Sequence, residues 1–305
     1  MTTMHTPHLS VGLPVFNGAN FLAESIESVL RQDFADFELI VSDNGSTDET
    51  PEICRHYAAA DPRIRVIRHE INRGGAWNFN HVFALGRAPF FKWQAHDDVC
   101  LPGFFRRCLD LLAAARPPVV IAYPRMELID EHGRPLDHFL PESMETRRAQ
   151  PHQRIAHVLR TMTMGRPQFG IIRTDALRRT RLYLPVIAAD FVLLSELALL
   201  GEFWEVPETL FQRRIHSGCS TRANRGLDEL QQWWDPSQRR YRRWLPPMLR
   251  LGLEFVRSTH RLPLPAHEKL LCDANALWVW YFRQLRNYGG RWRRRLFHGL
   301  RPQPA

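Results

Sequence analysis

The sequence predicts an α/β fold with a mostly parallel central sheet flanked by helices, followed by a helical appendage. Three observations carry this. Short apolar, β-rich runs alternate with helical stretches from Leu9 to Tyr123, and polar turns sit where the runs end. After Arg222 the composition changes to Trp, Arg and Leu at helical spacing.

Leu9 to Val15 is apolar and β-rich, Asn17 to Asn20 is turn-like, and Phe21 to Gln32 carries helical periodicity in Phe21, Leu22, Ile26, Val29 and Leu30. Phe37 to Ser42 (FELIVS) is a buried strand that runs into the polar turn Asp43-Asn44-Gly45-Ser46-Thr47-Asp48. A helix starts near Thr50, with Pro51 and Glu52 in its first turn. Ile64 to Arg68 is a third strand, Asn72-Arg73-Gly74-Gly75 a turn, and Ala76 to Leu85 a helix. Phe90 to Gln94 is a strand ending on Ala95-His96-Asp97-Asp98. Strands and helices in this alternation build a parallel sheet with right-handed crossovers, whose ligands bind beyond the carboxyl ends of the strands. The polar clusters fall at those ends.

Beyond Pro102 a helix reaches about Ala115, and Val119 to Tyr123 is a strand. Arg125 to Gln153 is irregular and rich in Gly, Pro and charge, as in loops that shape pockets. A helix from about Arg154 to Met164, the segment Phe169 to Arg173 and a helix from Asp190 to Leu200 complete a domain over residues 1–222. Residues 223–305 form the basic, Trp/Arg-rich helical region, broken at Pro246-Pro247 and Leu262-Pro263-Leu264-Pro265. There is no internal repeat.

A hydrophobic fraction of 44% and a charged fraction of 24% exclude wholesale disorder and fibrous architectures. Five scattered cysteines without a CxxC pair argue against a disulfide framework or zinc knuckle and fit a reducing cytoplasm. The N-terminal residues do not read as a signal peptide, and no stretch is long and apolar enough to span a bilayer. The formal charge of +9 is a C-terminal property: from Arg239 onward fifteen Lys/Arg face three acids, Glu254, Glu268 and Asp273. Nucleic acid, an anionic membrane surface and a merely solvated face are the three readings of this excess.

Carboxylates that directly follow apolar strands suggest the chemistry. Asp43 is placed to accept hydrogen bonds from a nucleobase or ribose. Asp97 and Asp98 form a pair that suits a hard divalent cation bridging to phosphate oxygens.

The run Leu9 to Asn17 followed by Phe37 to Asp48 resembles, in residue type, order and spacing, the N-terminal half of the family 2 glycosyltransferases with the Rossmann-like GT-A fold. The resemblance implies an inverting transfer from a nucleoside-diphosphate sugar, UDP- or dTDP-linked, to a saccharide or lipid-linked saccharide. It also implies a role in cell-surface polysaccharide or glycoconjugate assembly. Residues 1–100 then form the nucleotide-sugar half and 101–222 the acceptor half. Pro14, Val15, Phe16 and Asn17 correspond to the segment lining the base, Asp43 to the acid that recognises it, and Asn72, Arg73 and Gly74 to the loop beside the donor. Gln94 to Asp98 resembles the DxD element, which implies Mg²⁺ or Mn²⁺ with Asp98 as first metal ligand and Asp97 shared between ribose and metal. Ala95 stands where many members have an acid.

Ala188-Ala189-Asp190 resembles the ED element, with Asp190 as general base for the acceptor hydroxyl; Ala189 stands where a second acid is common. Inversion needs one proton acceptor, and a helix N-terminus stabilises its ionised form. Arg213 to Gly218 resembles the segment that closes over the diphosphate, with Arg214 and His216 meeting phosphate or metal. The resemblance covers Leu9 to Thr221.

Each motif alone is ordinary: Asp-Asn-Gly-Ser is turn chemistry, Asp-Asp caps helices, Asp190 reads as a plain N-cap and His216 as a surface residue. Their recurrence in the expected order carries the reading. A nucleotidyltransferase would carry a basic glycine-rich loop after the first strand, and Pro14 to Asn20 has no Lys or Arg; a dinucleotide oxidoreductase would carry GxGxxG. A non-catalytic carbohydrate or membrane-surface binding protein remains open through Ala95 and Ala189. The aromatic and basic C-terminal mixture favours peripheral contact with the inner face of the cell membrane over nucleic acid, for which no recognised module is present. Homo-oligomerisation is left open.

Overall fold

The structure, a computed structural model, describes residues 5–115, 119–136, 143–148, 150–162, 166–219, 226–237 and 247–298. The boundary expected at 222 and the side chains of the C-terminal aromatic and basic run from Arg283 lie outside the described residues. The first half follows the predicted alternation: β1 (Leu9–Val15), α1 (Ala19–Leu30), β2 (Phe37–Asp43), α2 (Thr50–Ala60), β3 (Ile64–Arg68), α3 (Gly75–Leu85) and β4 (Phe90–Trp93). β1 is buried along its whole length and lies between β2 and β4, parallel to both. Burial on both faces explains why it is a continuous apolar run rather than an alternating one.

The second half contributes β5 (Val99–Cys100), α4 (Phe104–Ala114), β6 (Val119–Ile129), α5 (Pro151–Thr161), β7 (Ile171–Arg173), α6 (Thr174–Arg178), α7 (Ala189–Leu200) and β8 (Glu202–Arg214). The eight-stranded sheet runs β3-β2-β1-β4-β7-β6-β8-β5. Pairing is parallel from β3 to β4 and between β6 and β8, but antiparallel for β4·β7, β7·β6 and β8·β5. The mostly parallel expectation therefore holds for the first half and gives way to a mixed sheet in the second. The chain reverses its direction of travel across the sheet between β1 and β4, and the loops leaving these two strands part there to open a crevice.

β8 is absent from the sequence reading for a physical reason. Its burial is irregular, Pro207 interrupts it, and its register against β6 shifts near Arg125, so no period of two survives in the residues. Arg125 to Ile129, expected to be loop, continues β6 along this bulged ladder.

α7 is apolar on nearly every side, the pattern of a helix with no solvent face. Leu193, Leu194, Leu197 and Ala198 join the main core beneath the sheet. Val192 and Leu199 join a second core with Ile155 and Leu159 of α5 and with Leu251, Phe255, Cys272 and Trp280 of the C-terminal helices α9 (Pro247–Arg261) and α10 (Ala266–His298). An ionic knot locks the same junction: Arg181 reaches the nearly buried Glu196 on α7 and Glu254 on α9 at 2.6 Å each, and Ser258 at 2.7 Å. The C-terminal helices are thus seated against the helix that carries Asp190.

Candidate functional site

A cavity of about 630 Å³ opens at the crevice between β1 and β4. Its walls come from the end of β1 (Pro14, Val15, Phe16, Asn17), the turn after β4 (Ala95 to Asp98), the start of α7 (Ala188 to Asp190) and the end of β8 with the residues after it (Arg213 to Cys219). That volume is in the range of small-molecule sites. Asp97, Asp98, Asp190 and His216, far apart in sequence, all line it.

On the β1 side, Asn17 takes a positive φ of 50°, and its side-chain Oδ1 accepts the Thr47 N–H at 2.9 Å, tying the β1 turn to the β2 turn. Phe16 keeps 36% of its surface open. Asn44, which the sequence reading did not single out, is the hub of this wall. Its amide donates to Asn72 Oδ1 at 2.9 Å and to the Gly74 carbonyl at 3.2 Å, and its Oδ1 accepts the Arg73 N–H at 3.1 Å. Asn72 lines the cavity as expected.

Three expected donor contacts sit elsewhere. Arg73 lays its guanidinium over the Trp77 ring at 4.7 Å, outside the cavity lining. Gly74 also lies behind the lining, at φ 89°. Asp43 is fully buried one residue behind Asn44: its Oδ1 accepts the Ser46 N–H at 2.9 Å, while its Oδ2 has no hydrogen-bond partner and lies 3.5 Å from Arg68 Nε.

The turn after β4 is fixed from beneath. Gln94 donates to the Asp98 carbonyl at 2.7 Å and to Ser25 Oγ at 3.0 Å, and accepts from the fully buried Lys92 at 2.8 Å. Asp98 Oδ1 accepts the Arg214 backbone N–H at 3.0 Å. Burial and the charge of Asp97 push the Asp98 carboxyl up to about 7. Asp97 moves the other way: burial opposes its ionisation, but the imidazoles of His96 and His216 outweigh that and hold it below the usual carboxylate range.

Two residues expected to meet phosphate or metal, at the end of β8 and just after it, are held by protein groups. His216 Nε2 lies 3.0 Å from Asp97 Oδ2 while its Nδ1 accepts the Gly218 N–H at 3.2 Å. With Nδ1 the acceptor, the ring proton is on Nε2, so His216 donates to Asp97. The Arg214 side chain is 2% exposed; it donates to the carbonyls of Asp97, Asp130 and Glu131, pairs with Glu24 and lies 4.6 Å from the Phe21 ring centre. It braces the fold from within the cavity wall. Arg213 and Arg214 both line the cavity, and it is the charge of Arg213 that favours ionisation of both Asp98 and Asp190.

Among the described residues no cluster of three or more His, Cys, Asp or Glu is arranged to hold a metal. Cations of the Mg²⁺ type, however, take one or two carboxylates and complete their shell with substrate phosphates and water. The donor chemistry of a buried, mutually repelling carboxylate pair fits that demand.

Asp190 stands in the first turn of α7, two residues after Ala188, a non-glycine residue held at φ 59°. Burial raises its pKa, against the opposing pull of the Phe191 N–H and Arg213. A carboxylate made more basic at the edge of a cavity has the chemistry of a proton acceptor.

One wall was not foreseen. α8 (Leu227–Trp234), expected to belong to the appendage, brings Leu230, Trp233 and Trp234 into the lining. Gly74 explains how: a Cβ there would lie 2.4 Å from Pro236 Cδ and 2.7 Å from the Trp234 carbonyl, so a side chain would lift this segment away.

Residues 10–180 match the family described as glycosyl transferase family 2. An uncharacterized glycosyltransferase of Rickettsia bellii (strain RML369-C) is 33% identical over 142 residues, 46% of this chain and 20% of that protein. The putative glycosyltransferase EpsE of Bacillus subtilis (strain 168) is 34% identical over 128 residues, 42% of this chain and 46% of its own length. The matches thus span less than half of these relatives. Among solved structures, S. aureus TarS 1-349 in complex with UDP-GlcNAc superposes with a TM-score of 0.62 at 16% identity, covering 88% of this chain and 72% of that one. The mannosyltransferase PcManGT of Pyrobaculum calidifontis, in complex with GDP-Man and Mn²⁺, gives 0.54 at 15% identity, covering 90% and 70%. At such identities these likenesses show the fold, which is that of the GT-A enzymes. With more than half of its length matched and its acidic cavity at the crevice between β1 and β4, the chain belongs to glycosyl transferase family 2.

Proposed function

We propose that the protein transfers a glycosyl group, with inversion, from a nucleoside-diphosphate sugar to an acceptor hydroxyl. The observation that carries this reading is the convergence of Asp97, Asp98, Arg213 and Asp190 on one cavity. The acceptor oxygen forms its bond to the anomeric carbon as its proton passes to a carboxylate oxygen of Asp190. The bond from that carbon to the diphosphate breaks on the opposite face, and the diphosphate leaves with the electron pair. Arg213 sets positive charge beside the leaving diphosphate. Asp98 and Asp97 would hold a divalent cation, Mg²⁺ or Mn²⁺, which supplies charge stabilisation to the diphosphate when bound. Pro14 to Asn17 and Asn72 line the nucleotide, with UDP or dTDP as the nucleotide part. Asp43 reads the base once the exposed Arg68 side chain, ion-paired with its Oδ2, swings aside.

Thermal shift with a panel of nucleoside diphosphates, with and without Mn²⁺, tests the reading directly. A stabilisation that depends on Mn²⁺ is expected from one of them, and it should fall by about tenfold or more in affinity in Asp98→Ala. If no nucleoside diphosphate shifts the transition, the donor site is not here.

A second element of the reading is place. No helix among the described residues is long and apolar enough to cross a membrane. α9 and α10 nonetheless expose Leu249, Leu253, Leu270, Leu277 and Trp278, within the region that holds the basic excess. Exposed apolar groups among basic ones suit the surface of an anionic bilayer. We therefore place the enzyme in the cytoplasm, at the inner face of the membrane, acting on a saccharide or lipid-linked saccharide in cell-surface glycoconjugate assembly. Co-sedimentation with phosphatidylglycerol vesicles, and not with neutral phosphatidylcholine ones, is the expected result; equal recovery with both removes the electrostatic contact.

A further inference from the structure

We infer that α8 forms the acceptor wall of the cavity and that the Trp233 indole face is the platform on which a saccharide ring of the acceptor rests. The inference builds on the transferase reading and adds a residue and a ligand class to it. Trp233 lines the cavity, keeps 38% of its surface open and stacks on Trp234, with ring centres 5.6 Å apart and planes at 26°. Trp234 fixes the pair. Its Nε1 donates to the Leu184 carbonyl at 2.8 Å, and its ring meets Tyr183 edge-on at 5.5 Å. An indole face that is accessible to ligand and held rigid from behind is a low-entropy surface for the C–H face of a pyranose, whose polarised hydrogens meet the negative face of the ring system.

Three features assign the platform to the acceptor. First, α8 is anchored to the segment that leads into the proposed base: besides the Trp234 bond, Gln231 donates to the Pro185 carbonyl at 3.2 Å, and that segment continues through Ile187 and Ala188 to Asp190. A base must lie beside the acceptor hydroxyl, so the wall tied to its segment faces the acceptor. Second, α8 lies beyond residues 10–180, the part matched to the family, as does Asp190, the proposed base beside the acceptor. Third, room for it is made by the glycine pair before α3. A Cβ on Gly75 would lie 2.9 Å from the Trp234 ring and 3.3 Å from Trp233, and Gly74 admits the turn at Pro236.

The test uses the full chain, UDP and a set of methyl pyranosides: the β-glucoside, α-mannoside, β-galactoside and N-acetyl-β-glucosaminide. Calorimetry gives UDP affinity for wild type, Trp233→Ala and Trp233→Phe; saturation-transfer NMR then reads glycoside binding in the presence of UDP. At least one glycoside is expected to bind wild type through C–H protons of one ring face, to weaken by about tenfold or more in Trp233→Ala and to recover in Trp233→Phe. UDP affinity should stay within about twofold throughout. Equal glycoside binding in wild type and Trp233→Ala, no glycoside binding to a wild type that binds UDP, or a loss of UDP affinity in Trp233→Ala overturns the platform. A wild type that binds no nucleoside diphosphate, UDP and dTDP included, overturns the transferase reading instead.

Discussion

Asn in place of Asp190 is expected to lower the rate of transfer by about 10²- to 10⁴-fold while nucleotide affinity stays within about twofold. The substitution preserves shape and position in the first turn of α7 and removes only the capacity to take a proton. The acid limb of the wild-type profile should share this origin. Burial raises the Asp190 pKa, so the base is ionised only above a pH higher than the ordinary aspartate range, and kcat/KM rises with pH through that displaced value. Arg213 favours the ionised form, so in Arg213→Gln the limb moves further up. Initial rates across pH, beside calorimetric titration of the nucleotide, check all three statements. Full turnover by Asp190→Asn strikes out the base.

Arg214→Ala is expected to destabilise the fold by about 2–4 kcal/mol, the cost of stripping a buried guanidinium from its acceptors. Most of this comes from the carbonyls of Asp97, Asp130 and Glu131, which lose their partner; Glu24 is 54% exposed and is solvated by water when released. Denaturant midpoints measure it. The neighbouring substitution gives the contrast: Arg213→Ala, at a less buried side chain, should lower the midpoint less than Arg214→Ala and lower the transfer rate. If the two variants exchange these phenotypes, the assignment of brace and substrate contact at the end of β8 is reversed.

That contrast also marks the limit of what residues reveal by themselves. The first half was legible because each strand is a short apolar run with a polar cluster at its end, and Pro14, Asp97 and Asp98 take their places from those boundaries, whereas Asp190 takes its place from the start of α7. Adjacent arginines offer no such boundary. Which of Arg213 and Arg214 is buried is set by the pairing of β8, whose bulged register erases the alternation that would have told them apart. Asn44 was overlooked because its worth lies in three bonds to a loop twenty-eight and more residues away. α8 entered the site through tertiary packing, licensed by the glycine pair Gly74-Gly75, which the sequence suggests only as a turn.

The helix beneath Asp190 has consequences for how the enzyme can move. Enzymes of this size often close on their substrates by hinging elements that have a free side. α7 has none, being held between one hydrophobic layer under the sheet and another supplied by α5, α9 and α10. The proposed proton acceptor therefore behaves as a fixed anvil, and any closure over the substrate falls to the lighter pieces around it.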